Sequence, residues 1–244
     1  MVNDNEHIEY LSDTLQLIVS DAHTFGTDAL LLASFAMPKK NESAADLGAG
    51  CGIIPFYWLR GGCKGTIYGI DIQPNAYELM CRSVARNTNI KNFTPMLCDL
   101  RELQGTLPAG SLDVVVMNPP YKPAGTGILS STDADQIARH ETMCTLDDVC
   151  AAARRLLRYG GKFAVCLRPE RLCDILCAMR ARKLEPKRLR FVCQRPGLAP
   201  WLVLAEGRSG GKPGLTVLPT LYIESEEMRC IVGAYKKKQE LQRK

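Results

Sequence analysis

The stretch Ala44-Ala-Asp-Leu-Gly-Ala-Gly-Cys-Gly-Ile53 decides the fold. A short apolar strand, Ser43–Leu47, runs into glycines at 48, 50 and 52, and a helical pattern begins at Ile53. Glycines at such a turn let the backbone fold tightly and bring a ligand against main-chain atoms. The spacing excludes the dinucleotide fingerprint Gly-x-Gly-x-x-Gly, which needs a glycine where Ile53 stands. What remains is acid-x-Gly-x-Gly-x-Gly, with Asp46 as the acid.

Outward from this turn, short apolar runs alternate with helix-like segments, the pattern of a parallel sheet with crossover helices. Strands are expected at Ser43–Leu47, Thr66–Asp71, Phe93–Leu97, Leu112–Met117, Gly161–Leu167, Arg188–Cys193 and Trp201–Glu206. Helices are expected at Leu30–Ala36, Ile53–Arg60, Pro74–Asn87, Leu146–Leu157 and Glu170–Ala181. Pro74 suits a first helical turn, and Thr145 an N-cap with Asp147 and Asp148 at the positive helix end. The alternation in Glu9–Ser20 predicts a β-hairpin. Lys122–Asp133 and Arg208–Gly214 read as loops, and 236–244 as a frayed basic tail. The expectation is one domain over 1–244, with 1–26 as a hairpin extension.

At 244 residues, with 46% hydrophobic and 23% charged residues, the chain has the balance of a soluble globular protein that buries a proper core. No run of 18 apolar residues or signal-like start is visible, so a membrane span is not expected. The 11 cysteines form no Cys-x-x-Cys pair, which argues against zinc, and most are expected to be small core residues in a reducing cytoplasm. Charge is unevenly placed. Residues 1–121 carry 8 basic and 13 acidic side chains, whereas residues 122–244 carry 23 and 13. The basic half is either a solvated surface or the face of a polyanionic partner.

Two acids end strands beyond the glycine turn. Asp71, closing Thr-Ile-Tyr-Gly-Ile-Asp71, has the position from which a carboxylate accepts from both ribose hydroxyls, as in dinucleotide folds; capping the helix at Pro74 is the plainer alternative. Asp99, closing Met-Leu-Cys-Asp-Leu100, is placed to accept from an adenine amine with Leu100 against the ring. The fourth strand ends in Val-Val-Val-Met-Asn118-Pro119-Pro120-Tyr121. Adjacent prolines give no N–H to a neighbouring strand, so pairing stops there. A planar –NH2 nitrogen is a poor nucleophile because its lone pair is delocalised. Asn118 through its side-chain oxygen, and the Pro119 carbonyl, can accept its two N–H groups and would draw the lone pair out of conjugation; a polyproline turn after the strand is the plainer alternative. Tyr121 offers a face for stacking.

Together, Asp46-Leu-Gly48-Ala49-Gly50-Cys-Gly, Asp71 followed by Ile72, Asp99 and Asn118-Pro-Pro-Tyr121 resemble the amino-methyltransferase branch of the class I S-adenosylmethionine-dependent enzymes. Phe25-Gly-Thr27-Asp28-Ala-Leu-Leu-Leu, Ile137-Ala-Arg139-His140-Glu141 and Arg168-Pro-Glu-Arg171-Leu are similar to segments of the tRNA(1)(Val) (adenine-37-N6)-methyltransferase family, particularly its Gram-positive form. The resemblance spans roughly residues 10–225. It implies a Rossmann-like α/β fold, a seven-stranded, mostly parallel sheet flanked by helices. It also implies S-adenosyl-L-methionine as cofactor, tRNA as partner, a cytoplasmic location and no metal; a monomer is expected. By position, Asn118 to Tyr121 would form the amine site. Asp46, Gly48, Ala49, Gly50, Asp71, Ile72, Asp99 and Leu100 would hold the cofactor, with Thr27 and Asp28 near its methionine end; simple helix capping is the other reading of that pair. Lys122, Arg139, His140, Arg168 and Arg171 would meet substrate or, equally, be solvated charge. Cys51 departs from the family's usual small residue and exposes the turn to oxidation. Trp201 reads as core. The rivals are a glutamine methyltransferase of a release factor, whose family carries an N-terminal helical domain where this chain has about 25 residues, a ribosomal-RNA or DNA adenine enzyme, and a non-catalytic RNA-binding protein.

Overall fold

The computed structural model describes residues 2–119 and 144–233. Strands β1 (Glu6–Tyr10) and β2 (Gln16–Ser20) form the expected antiparallel hairpin. There follow α1 (Thr27–Phe35), β3 (Ala44–Leu47), α2 (Ile53–Arg60), β4 (Ile67–Asp71), α3 (Pro74–Arg86), β5 (Phe93–Leu97) and β6 (Leu112–Met117). Beyond residue 143 come α4 (Leu146–Leu156), β7 (Leu157–Leu167), α5 (Leu172–Ala181), β8 (Leu184–Cys193), β9 (Leu202–Ser209), β10 (Thr216–Val217), β11 (Leu221–Tyr222) and a helix at 226–233, α6.

The sheet runs β5-β4-β3-β6-β7-β9-β8, and every pairing in it is parallel except those of β9, which is antiparallel to both neighbours. These are the seven expected strands. Two more, β10 and β11, pair with the outer side of β8. Pro219 interrupts the apolar run between them, so no strand pattern was legible there. They shield an edge that would otherwise offer unpaired backbone groups. Strands β3 and β6 are buried almost throughout, because helices cover both sheet faces. One face packs on α1, α2, α3 and α6, the other on α4 and α5. The chain leaves β3 towards β4 and returns at β6 on the opposite side. The C-terminal ends of β3 and β6 therefore flank a topological switch point, where open α/β sheets place ligands.

Side-chain polarity docks the hairpin onto α3. The Ile18 N–H donates to Ser83 Oγ at 2.9 Å and the Gln16 N–H to Asn87 Oδ1 at 2.8 Å, both acceptors being buried. Arg82 pairs with Glu6 and holds its carboxyl down at about 2. At the other layer, Thr145 is the N-cap of α4, as the sequence indicated, and Asp148 completes a reciprocal capping box with it.

Some boundaries differ. β7 begins directly after α4, with a register shift opposite Leu112–Val114 that absorbs Tyr159-Gly160-Gly161. β9 runs to Ser209, into the segment expected to be a loop, because β8 and β7 supply partners on both sides. Only five of the 11 cysteines are buried; Cys173 and Cys177 are exposed because α5 turns just Ile175 and Met179 fully inward, and Cys230 is exposed on α6. Among the described residues, no helix is long and apolar enough to cross a membrane, and no group of three or more His, Cys, Asp or Glu is placed to hold a metal.

Candidate active site

The glycine turn sits at the tip of β3. Gly48 and Ala49 donate their N–H groups to the Ile70 carbonyl at 2.8 and 3.0 Å, which ties the turn to β4. Gly50 donates to Asp71 Oδ2 at 2.8 Å, and Asp71 Oδ1 accepts from the Gln73 N–H at 2.9 Å. Asp71 thus locks the turn and the approach to α3 together; the N-cap itself is Gln73, without a side-chain cap. Both Gly50 and Gly52 have left-handed φ, +55° and +89°. A Cβ added at Gly50 meets nothing within 4 Å, so this glycine borders open space, while one at Gly52 meets buried Met80 at 3.1 Å.

The three strand-end acids differ in surroundings. Asp46 is 2% exposed, and its Oδ1 is buried without a hydrogen-bond partner. Burial pushes its carboxyl well above the usual range, and the nearby Asp71 charge adds to this. Asp99 caps the 3-10 turn Leu100–Glu102 and pairs with Arg101, both oxygens 3.0 Å from Nε, which lowers its pKa. Ile72, 40% exposed, and Leu97, 49% exposed, leave apolar surface uncovered at the tips of β4 and β5; Leu100 is half-buried. Cys51 is buried and its thiol is pushed up to about 12, so it resists forming the reactive thiolate. The oxidation sensitivity expected of it is therefore countered by its own burial.

Asn118 follows β6 directly. The register pairs Met117 with Leu47 on one side and Val165 on the other, which sets Asn118 level with Gly48 and Cys166. Its Nδ2 donates to Asp28 Oδ2 at 2.8 Å, and its Oδ1 accepts from the Cys166 thiol at 3.0 Å. Asp28 therefore faces Asn118 from the first turn of α1, whose N-cap is Gly26. Thr27 is exposed on the first turn. Cys166 was not singled out from the sequence; the one signal for it was its place two residues before Arg168, near the end of β7.

Arg168 caps, and Arg171 closes, a 3-10 turn, Pro169–Arg171, on the same C-terminal edge. The Arg168 guanidinium lies 5.7 Å from the centre of the Trp201 ring and donates to the Trp201 carbonyl at 3.0 Å; Arg171 pairs with Asp174 at 2.8 Å. Trp201 precedes β9 instead of lying within it and is half-buried, so it belongs to the rim of this edge as well as to the core. Pro120, Tyr121, Lys122, Arg139, His140 and the tail at 236–244 lie outside the described residues.

Known proteins place this geometry. The family model "Methyltransferase small domain" matches residues 19–173, more than half of the chain. The chain belongs to that family. A protein of Phocaeicola vulgatus named tRNA1(Val) (adenine(37)-N6)-methyltransferase is 29% identical over 181 residues, which is 73% of this chain and 74% of the relative. One of the same name from Aeromonas salmonicida is 29% identical over 153 residues, 62% of each chain. Among solved structures, a predicted O-methyltransferase from Agrobacterium tumefaciens superimposes with a TM-score of 0.69 at 20% identity, over 85% of this chain and 96% of that one. A SAM-dependent methyltransferase from Aquifex aeolicus gives 0.55 at 13% identity, over 75% and 89%. The fold is that of a class I methyltransferase.

Family and fold imply S-adenosyl-L-methionine as cofactor, and the small-domain site fits it on three counts. Gly50 borders open space, Asp46 Oδ1 is an orphaned buried acceptor, and apolar surface is exposed at two adjacent strand tips. That cofactor supplies an electrophilic methyl group on a sulfonium.

Proposed function

We propose that this chain is a methyltransferase acting on the N6 amine of an adenine in tRNA, with anticodon-loop position 37 as its target. The observation that carries the reading is Asn118. It is an amide at the end of a central strand, followed at once by proline, with Asp28 bonded to its nitrogen and its oxygen on the opposite edge. In this reading Asn118 Oδ1 and the Pro119 carbonyl accept the two N–H bonds of the target amine. The nitrogen lone pair is then free of the ring and aimed along the line of displacement. Holding amine and methyl in that line can contribute about 7–11 kcal/mol in favourable systems. Once alkylated, the nitrogen is cationic and sheds its proton easily, so no strong base is required.

The cofactor would lie across the tips of β3, β4 and β5. Asp71 takes the ribose hydroxyls on lone pairs beyond those its backbone donors use, since each carboxylate oxygen accepts more than one bond. Ile72 and Leu100 flank the adenine ring, with Asp99 at its amine. Gly48, Ala49 and Gly50 let the backbone approach, and Thr27 and Asp28 border the methionine end. Pro120, Tyr121, Lys122, Arg139, His140, Arg168 and Arg171 complete the target side. An adenine amine inside a stack is out of reach, which favours a loop nucleotide that flips cheaply. The basic second half of the chain suits phosphate contacts that position RNA without reading sequence. Both curated relatives described above carry the tRNA adenine-N6 name.

The test is incubation of the purified protein with methyl-labelled S-adenosylmethionine and, in parallel, unmodified total tRNA, ribosomal RNA and release factor. N6-methyladenosine recovered from digested tRNA, mapped to position 37, is the expected product. Label in ribosomal RNA or in a glutamine side chain would move the substrate elsewhere, and no label in any fraction would leave an RNA-binding protein.

A further inference from the structure

An asparagine side chain presents an oxygen or a nitrogen to its target depending only on which way its amide is turned, and the two orientations are nearly the same shape. If Asn118 turned its nitrogen to the target, it would meet an amine with a donor and the site would fail. We propose that Asp28 is a positioning residue that fixes this choice: its carboxylate holds Asn118 Nδ2 and thereby commits Oδ1 to the side where the target amine is received. The inference rests on the reading of Asn118 as the amine acceptor.

Three features carry it. A carboxylate only accepts, so the atom of Asn118 that lies 2.8 Å from Asp28 Oδ2 is the nitrogen. The opposite atom meets the Cys166 thiol at 3.0 Å, a donor, and Cys166 is fully buried on β7 with its own sulfur 4.0 Å from the Asp28 carbonyl. Donor and acceptor thus grip the amide from both edges, from two elements brought together by the packing of α1 on β7. Third, a Cβ added at Gly26 would lie 2.2 Å from Asp28 Oδ1. The φ of Gly26 is an ordinary −103°, so its backbone demands no glycine. What the missing side chain admits is the Asp28 carboxylate, folded back to where it reaches Asn118. The Phe25-Gly-Thr-Asp28 segment is in this sense part of the amine site, ninety residues distant in sequence.

The charge also matters. A carboxylate bonded to one N–H of an amide polarises it, raising the negative character of the carbonyl oxygen where an amine must be gripped. An asparagine at position 28 keeps the shape and loses both the charge and the obligation, because either of its ends suits either end of Asn118.

The decisive experiment exchanges the pair. Asp28→Asn should lower kcat roughly ten- to hundredfold, the span of one hydrogen bond to a charged group, a larger change than any in the KM values for S-adenosylmethionine and tRNA. Asn118→Asp alone sets two carboxylates against each other, so its activity should fall as pH rises and their shared proton is lost. The double variant Asp28→Asn/Asn118→Asp restores one donor facing one carboxylate. It should recover most of the lost kcat and lose the pH dependence. A raised KM for the cofactor in Asp28→Asn, with no recovery in the double variant, would overturn the proposal and return Asp28 to cofactor binding alone. A second readout needs no turnover: selective 15N-asparagine labelling, with the Asn118 signal identified by its loss in Asn118→Asp. One Asn118 amide proton should be shifted downfield by the carboxylate, and that shift should vanish in both Asp28→Asn and Gly26→Ala. If the shift is present but no planar amine is methylated by the wild-type protein, the substrate reading fails while the grip stands; if it is absent from the wild-type protein, the grip itself fails.

Discussion

Alanine at Gly50 and alanine at Gly52 should separate the cofactor site from the scaffold that carries it. Both residues sit in the left-handed region, where an L side chain costs about 1–2 kcal/mol. At Gly50 that strain is the whole cost, because the new Cβ meets nothing within 4 Å. At Gly52 the Cβ falls 3.1 Å from Met80 Cγ and 3.5 Å from its sulfur, and Met80 is fully buried. Shifting it adds roughly 1–3 kcal/mol of overpacking. For a chain of this length each kcal/mol moves Tm by about 2–4 °C. Gly50→Ala should therefore melt about 2–8 °C below the wild type, and Gly52→Ala about 4–20 °C below.

Cofactor reverses the ranking. S-adenosylmethionine at a hundredfold excess over its Kd stabilises a binding-competent protein by about 2.7 kcal/mol, or roughly 5–11 °C here. Gly50→Ala fills part of the open space at the turn and should show almost none of that rise. Gly52→Ala, whose fault lies behind the turn against α3, should keep most of it. Differential scanning fluorimetry with and without cofactor, backed by isothermal titration calorimetry, reads both quantities. A full ligand-induced rise in Gly50→Ala would refute the assignment of the open space at Gly50 to the cofactor.

Three further outcomes test other parts of the account. Ser83→Ala strands the buried Ile18 N–H and should cost about 1–3 kcal/mol, with faster protease cleavage in 1–26; an unchanged Tm and cleavage rate would mean that the hairpin is held by other contacts. The Cys51 thiol, pushed up to about 12, should stay unmodified by iodoacetamide at pH 8 while exposed Cys173, Cys177 and Cys230 react, as peptide mass spectrometry can show. Asp46 has its carboxyl raised in the folded state, so its contribution is fully present below its ordinary unfolded value and is lost as pH rises through the folded value. Cofactor-free protein should thus lose stability across that window, and Asp46→Asn should flatten the slope; an identical pH profile in the variant would show that other groups set it.

The central strands were legible because β3, β6 and β9 are buried on both faces and so appear as apolar runs between turn residues. The ends of β5, β6 and α2 fall where the pattern put them. What stayed hidden depends on tertiary partners. β10 and β11 are two residues each and exist only because β8 offers an edge. β7 could not be followed back to Leu157 through Tyr159-Gly160-Gly161, which reads as a turn until β6 pairs across it. Cys166 looks like any core cysteine until the register of β6 and β7 sets it beside Asn118.

The acids at the strand tips show most clearly why spacing locates a site without assigning its chemistry. Asp46, Asp71 and Asp99 share one sequence pattern, an acid closing an apolar run, and the sheet brings all three to one edge. Their partners then make them different reagents. Asp46 has lost its water and keeps an unpartnered oxygen, Asp71 spends a bond from each oxygen on a backbone N–H, and Asp99 is neutralised by Arg101 two residues on. Asp28 is the converse case. It has the pattern of a first-turn helical acid, yet its carboxylate is drawn off the helix by a gap at Gly26 and an amide on another strand. A buried acid is costly unless something meets it. For Asp71, Asp99 and Asp28 the partner is now visible within the chain; for Asp46 Oδ1 none is found among the described residues, and its raised carboxyl is the consequence.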